Sequence, residues 1–151
     1  MKGRKGSTDE GGGRVPCFIR WPGKIKPNTI VRGISGTLDL LPTLADLAGV
    51  KVASKKPLDG ISVKQQLLDS KTAVKDRMIF SHWRGRVSVR TQKYRLDHVG
   101  KLFDMQNDPE QRRDISKTQP QIAAKLSRAV SQWKKELLPG LANDDRPFPV
   151  G

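Results

Sequence analysis

Met78-Ile79-Phe80-Ser81-His82-Trp83-Arg84-Gly85-Arg86-Val87-Ser88-Val89-Arg90-Thr91-Gln92-Lys93-Tyr94-Arg95-Leu96-Asp97-His98-Val99-Gly100-Lys101-Leu102-Phe103-Asp104-Met105 is the stretch that decides the fold. Strand formers come in short runs, Met78–Trp83, Arg86–Thr91, Tyr94–Val99 and Lys101–Met105, parted by Arg84-Gly85, Gln92-Lys93 and Gly100. That spacing predicts four antiparallel strands in a meander. Alternation sends Val87 and Val89 to one face and Arg86, Ser88 and Arg90 to the other, so the sheet needs an apolar partner on one side.

The partner lies downstream. Across Gln119–Leu138, Ile122, Leu126, Ala129, Val130, Trp133 and Leu137 recur at helical spacing. Thr118 with Gln121 resembles a capping box, and Pro139-Gly140 predicts the helix end, followed by an extended surface tail over 141–151. The expected class is α+β: a small four-stranded antiparallel sheet packed against a long C-terminal helix.

Upstream, Asp39-Leu40-Leu41-Pro42-Thr43-Leu44-Ala45-Asp46-Leu47-Ala48-Gly49 predicts a helix capped by Asp39 and ended by Gly49, with Leu40, Leu44 and Leu47 on one face. A short helix over Ser62–Leu68 follows the Asp59-Gly60 turn. Val15–Trp21, closed by Pro22-Gly23, reads as a buried strand that contains Cys17 as a small buried residue, and Thr29–Ile34 is the next possible strand. The glycine-rich opening, Met1–Gly13, reads as a loop.

Composition narrows the chemistry. The 151 residues carry 29 Lys+Arg against 15 Asp+Glu, a formal charge of +14, with eight basic residues and two acids over 1–35 and nine and two over 71–101. An anionic partner is expected. The single cysteine excludes an internal disulfide framework, and with His82 and His98 as the only histidines no His/Cys zinc cluster can be assembled. No apolar run reaches the ~20 residues of a membrane span, and Met1-Lys2-Gly3-Arg4-Lys5 leads into polar sequence, so no export or membrane address is expected in the chain.

Lys5-Gly6-Ser7-Thr8-Asp9-Glu10-Gly11-Gly12-Gly13-Arg14-Val15-Pro16 gathers a lysine, hydroxyls and approachable backbone amides. Such a loop can cradle an anion or be an ordinary solvated loop. It is not a GxxxxGK[ST] phosphate loop, because no lysine follows the glycines in that register.

With Phe18-Ile19-Arg20-Trp21-Pro22-Gly23, the same stretch resembles the KGxxxEGGxRVPxxxxWPG signature of the type I, formylglycine-dependent sulfatases, the arylsulfatase family. The rest agrees in order: Asp39-Leu40-Leu41-Pro42-Thr43-Leu44 with Leu47-Ala48-Gly49 resembles DLxPTLxxLAG, and Leu58-Asp59-Gly60-Ile61-Ser62 the DGxSL turn. Val89-Arg90-Thr91-Gln92-Lys93-Tyr94-Arg95-Leu96 resembles AVRTxxYKL, and Leu102-Phe103-Asp104-Met105 through Asp108-Pro109-Glu110 resembles LYDLxxDPxE.

The resemblance covers the family's C-terminal third and implies a parent that hydrolyses sulfate esters, on carbohydrates by expectation. It implies calcium and formylglycine for the intact enzyme and none in this chain, since Cys17 is followed by Phe18-Ile19-Arg20 and not by x-P-x-R. No metal site is expected, the chain alone is expected to be inactive, and Met1 is expected to mark an internal start or a truncation. Lys5 matches the family's sulfate-contacting lysine, and His82, Arg84, Arg86 and Arg90 are candidates for binding substrate.

The expected division follows the family. Residues 1–35 are a remnant of its large α/β domain, 36–76 are connecting helices, 77–138 form the C-terminal subdomain, and 139–151 form the tail. The expected partners are the missing N-terminal sulfatase domain, a sulfated carbohydrate in the parent, and further copies of the chain through apolar surface left uncovered. The rival readings are a basic binding module for sulfated polysaccharide or nucleic acid, and an inert fragment. No nucleic-acid fold signature occurs, and one Tyr with four Phe offers little stacking surface, so neither a specific nucleic acid nor a membrane is expected as partner.

Overall fold

A computed structural model describes residues 1–73 and 75–142. The chain divides into two compact units: Met1–Arg14 together with the chain from Phe80 onward, and Val15–Ile79.

The first unit is built on four strands, β1 (Ile79–Trp83), β2 (Arg86–Arg90), β3 (Tyr94–Leu96) and β4 (Leu102–Asp104), hydrogen-bonded in the order β1-β2-β3-β4. This is the antiparallel meander that the alternation predicts. Register places Val89 opposite Leu96 and Leu96 opposite Leu102, so these three share a face with Val87, all buried. A helix, α4 (Pro120–Ala142), covers that face through the fully buried Leu126. Pro120 takes the first helical position, where its missing N–H leaves nothing unpaired, and the Thr118 hydroxyl donates to the Ile115 carbonyl (3.0 Å) in the turn ahead of it.

Helix α4 does not stop at Pro139-Gly140 but runs on to Ala142. Proline removes one hydrogen bond, to the carbonyl four residues back, and both Lys135 and Pro139 are exposed, so water can take that carbonyl. Of the expected 141–151 tail, Leu141 and Ala142 are helical and 143–151 lie outside the described residues.

Trp133 is half-buried and stacks on Phe80, with ring centroids 5.6 Å apart and planes 17° off parallel. Partial burial places Trp133→Ala below the fully buried case, at about 2–3 kcal/mol lost. The midpoint of chemical denaturation checks it, and a change under about 0.5 kcal/mol is the signature of a surface site instead.

The second unit contains a 3₁₀ turn (Thr37–Asp39) and the helices α2 (Leu40–Ala48) and α3 (Lys64–Leu68). Gly49 ends α2 in the left-handed region, φ 71°. Asp39 makes no side-chain cap on α2 and serves as a buried acceptor, taking the Gly36 N–H (2.9 Å), the Ile61 N–H (2.9 Å) and Arg77 Nη1 (2.7 Å). Thr43, equally buried, accepts the Val63 N–H at 3.0 Å. Among the described residues the fully buried side chains of this unit are Asp39 and Thr43, both polar, and Leu40 and Leu44 are exposed.

Val15–Trp21 and Thr29–Ile34 are not strands. Strand formers alone do not suffice, since a strand exists through its neighbours' N–H and C=O groups and Pro16 donates none. Phe18 is 91% exposed, and Cys17 is exposed rather than buried.

Candidate functional site

The polar face of the sheet is covered over Ser88 and Arg95, and only Arg86 at its edge is exposed among the β2 residues of that face. The glycine-rich opening lies across it, ending in one short helical turn, α1 (Glu10–Gly13). Ser88 Oγ donates to the Thr8 carbonyl at 2.6 Å, and Arg95 Nη1 donates to the same carbonyl at 2.7 Å and to Ser88 Oγ at 3.0 Å. Arg95 also reaches Glu10 Oε2 from Nε (3.2 Å) and Nη2 (2.8 Å). Gln111 secures the other side, accepting the Glu10 N–H at 2.9 Å and donating to Asp9 Oδ1 at 3.3 Å. The glycines permit this closeness: a Cβ on Gly11 would stand 2.6 Å from the Gly3 carbonyl oxygen.

Charge balance explains the arrangement. Register sets Arg90 opposite Arg95 on one face, a destabilising pair if left alone. Glu10, only 6% exposed, neutralises it from above, with Arg90 Nε at 3.5 Å and Arg14 Nη1 at 4.0 Å. Burial, with repulsion from Arg95 and Arg14, still holds the Arg90 pKa below the usual guanidinium value against the attraction of Glu10. At the start of the chain Lys2 Nζ meets Asp97 Oδ2 (3.1 Å) and Asp9 Oδ1 (3.4 Å) and lies over the Phe103 ring. Burial opposes its charge, but the two carboxylates outweigh burial and raise its pKa.

Held in this way, the loop presents Lys5 to solvent. Lys5, Gly6, Trp83, Arg84 and Arg86 line one open cleft of about 510 Å³. Gly6 adopts φ 82°, and a Cβ there would stand 3.4 Å from Trp83 Nε1. Arg84 lies over the Trp83 ring, 5.7 Å from its centroid.

Of the candidates read from sequence, Lys5, Arg84 and Arg86 therefore meet. Arg90 is held at Glu10 and donates to the Thr91 carbonyl. His82 belongs to the opposite face: it sits two residues from Phe80, its ring 6.0 Å from Trp133, and its Nε2 accepts the Gly85 N–H at 3.0 Å. The clamp residues Arg95, Gln111 and Ser88 were not candidates from sequence. The signal available was the facing pair Arg90 and Arg95, which calls for an acid.

Residues 7–136 match the family described as N-sulphoglucosamine sulphohydrolase, C-terminal. The chain belongs to this family. This sulfatase segment is 29% identical to arylsulfatase A of Bos taurus over 159 residues, 85% of this chain and 31% of that protein. It matches the crystal structure of Ps i-CgsB in complex with k-i-k-neocarrahexaose with TM-score 0.77 and 31% identity, over 87% of this chain and 31% of that one. A structure solved in complex with its substrate D-glucosamine-2-N,6-O-disulfate shares the fold, with TM-score 0.59 and 24% identity over 83% of this chain and 28% of that one. The sulfatase segment thus spans less than a third of the length of each of these relatives.

Calcium and formylglycine are implied for whole sulfatases, and the residues described here do not fit either. Among the described residues no three His, Cys, Asp or Glu side chains gather where a cation could be held. Asp9, Glu10, Asp39, Asp46 and Asp97 are each engaged by a Lys or Arg, and Cys17 is exposed outside any x-P-x-R context.

Proposed function

We propose that this chain is the part of a sulfatase that brings Lys5 and the Arg84–Arg86 hairpin tip to a sulfated carbohydrate, the rest of the catalytic apparatus being supplied by the family's N-terminal portion. The observation that supports this most is the cleft itself: three cations and an aromatic wall, with no acid among its lining residues. Breaking a sulfate ester builds negative charge on the sulfuryl and leaving oxygens, and a fixed ammonium at Lys5 lowers that barrier. In the same reading the chain alone turns over nothing. Residues 1–35 belong with the large domain of the intact enzyme, 36–76 connect, 77–138 form the C-terminal subdomain and 139–151 the tail. The exposed Val15, Phe18, Ile30, Leu44 and Val50 suit burial against that missing portion, or self-association without it.

A chimera tests the reading. Residues 2–138 replace the matching segment of a solved sulfatase relative, and hydrolysis of an aryl sulfate is followed with calcium present. Activity is expected in the chimera, a loss of about a hundredfold or more with Lys5→Ala, and none in the isolated chain. Lys5 is exposed and makes no ion pair among the described residues, so the melting temperature should not move. A chimera that keeps its rate with Lys5→Ala removes Lys5 from the reaction.

A further inference from the structure

Among the described residues, the cations on the loop and on the polar face of the sheet either pair with an acid or line the cleft, apart from Arg4, which is exposed and does neither. Lys2, Arg14, Arg90 and Arg95 each pair with Asp9, Glu10 or Asp97. Lys5, Arg84 and Arg86 have no carboxylate partner among the described residues, because the acids of the loop are turned inward and consumed there. One cleft therefore holds three positive charges that no carboxylate among the described residues compensates.

A single sulfate ester carries one negative charge, and Lys5 alone answers it. Two guanidinium groups remain on the hairpin tip, each a rigid fork suited to an oxyanion, with Arg84 steadied over Trp83. Trp83 is 49% exposed, which leaves indole surface for the apolar side of a sugar ring.

We infer that the cleft selects a sugar bearing at least two oxyanions: the scissile sulfate at Lys5, and a second sulfate or a carboxylate at Arg84 and Arg86. Arg90 and His82 take no part. The inference rests on the sulfate-contacting role proposed for Lys5 and adds the substrate class to it.

The test compares binding of the 151-residue chain to inorganic sulfate, N-acetylglucosamine-6-O-sulfate, glucosamine-2-N,6-O-disulfate and a 2-O-sulfated uronic acid, by calorimetry at physiological ionic strength. One or both doubly charged sugars are expected to bind about tenfold tighter than the monosulfate, about 1.4 kcal/mol, and which of the two does so tells sulfate from carboxylate. Arg84→Gln/Arg86→Gln should abolish the preference and leave the monosulfate bound through Lys5. Both side chains are exposed and neither makes an ion pair among the described residues, so the fold is retained. Lys125→Gln/Lys135→Gln, an equal loss of charge from the exposed side of α4, should leave the preference intact. No preference in the parent chain, a preference that survives Arg84→Gln/Arg86→Gln, or one lost equally in the α4 variant, overturns the inference while the Lys5 reading stands. Failure of inorganic sulfate and all three sugars to bind overturns both.

Discussion

Arg95→Ala is expected to destabilise the sheet unit by about 3–5 kcal/mol, the range for removing one partner of a buried ion pair. Arg95 is 4% exposed and its guanidinium satisfies Glu10, the Thr8 carbonyl and Ser88 together. Without it Glu10 stays buried, facing only Arg90 at 3.5 Å and Arg14 at 4.0 Å. Arg95→Lys keeps the charge but not the fork, and should fall between wild type and alanine. The double variant Glu10→Gln/Arg95→Met should cost less than Arg95→Ala alone, because it leaves no stranded charge. Urea denaturation with a common slope measures all three. A double variant as damaged as Arg95→Ala places the cost in lost packing and not in the charge.

Asp39→Ala should have the second largest effect, about 3–4 kcal/mol on the Val15–Ile79 unit. The substitution strands the Arg77 guanidinium, whose side chain is 14% exposed, and orphans the backbone N–H groups of Gly36 and Ile61. This unit has no fully buried apolar side chain among its described residues, so little else compensates. Amide exchange over 36–68 reads the loss. Exchange there unchanged, with the β2 amides affected instead, contradicts the assignment of Asp39 as the node of its own unit.

The meander and α4 were legible because both are local periodicities: Val87 and Val89 against Ser88 and Arg90, and Leu126 and Trp133 on one helical stripe. The cover over the polar face was not. Its bonds join residues 80 to 102 apart in sequence, such as Thr8 to Ser88 and Asp9 to Gln111, and no local pattern encodes such pairings. Val15–Trp21 failed for the opposite reason, since strand propensity is local and the partners a strand needs are not. The cleft was half legible. The signature motif gave Lys5, and clustering gave Arg84 and Arg86, but the same clustering drew in His82 and Arg90. Strand parity separates His82, which shares its face with Phe80. Arg90 shares a face with Arg86, and only knowledge of Glu10 shows where it is held.

The acids of the loop turn inward and leave Lys5, Arg84 and Arg86 lining one open cleft beside Trp83, where an oxyanion is expected to bind. Titration of the isotopically labelled chain with inorganic sulfate, followed by NMR, tests that binding most directly. Saturable shifts are expected at the Gly6 amide, the Trp83 indole N–H and the Gly85 and Arg86 amides, absent in Lys5→Ala and with Arg90 and the His82 ring unmoved. Shifts centred on Arg90 or His82, or spread over the basic surface without saturation, contradict it.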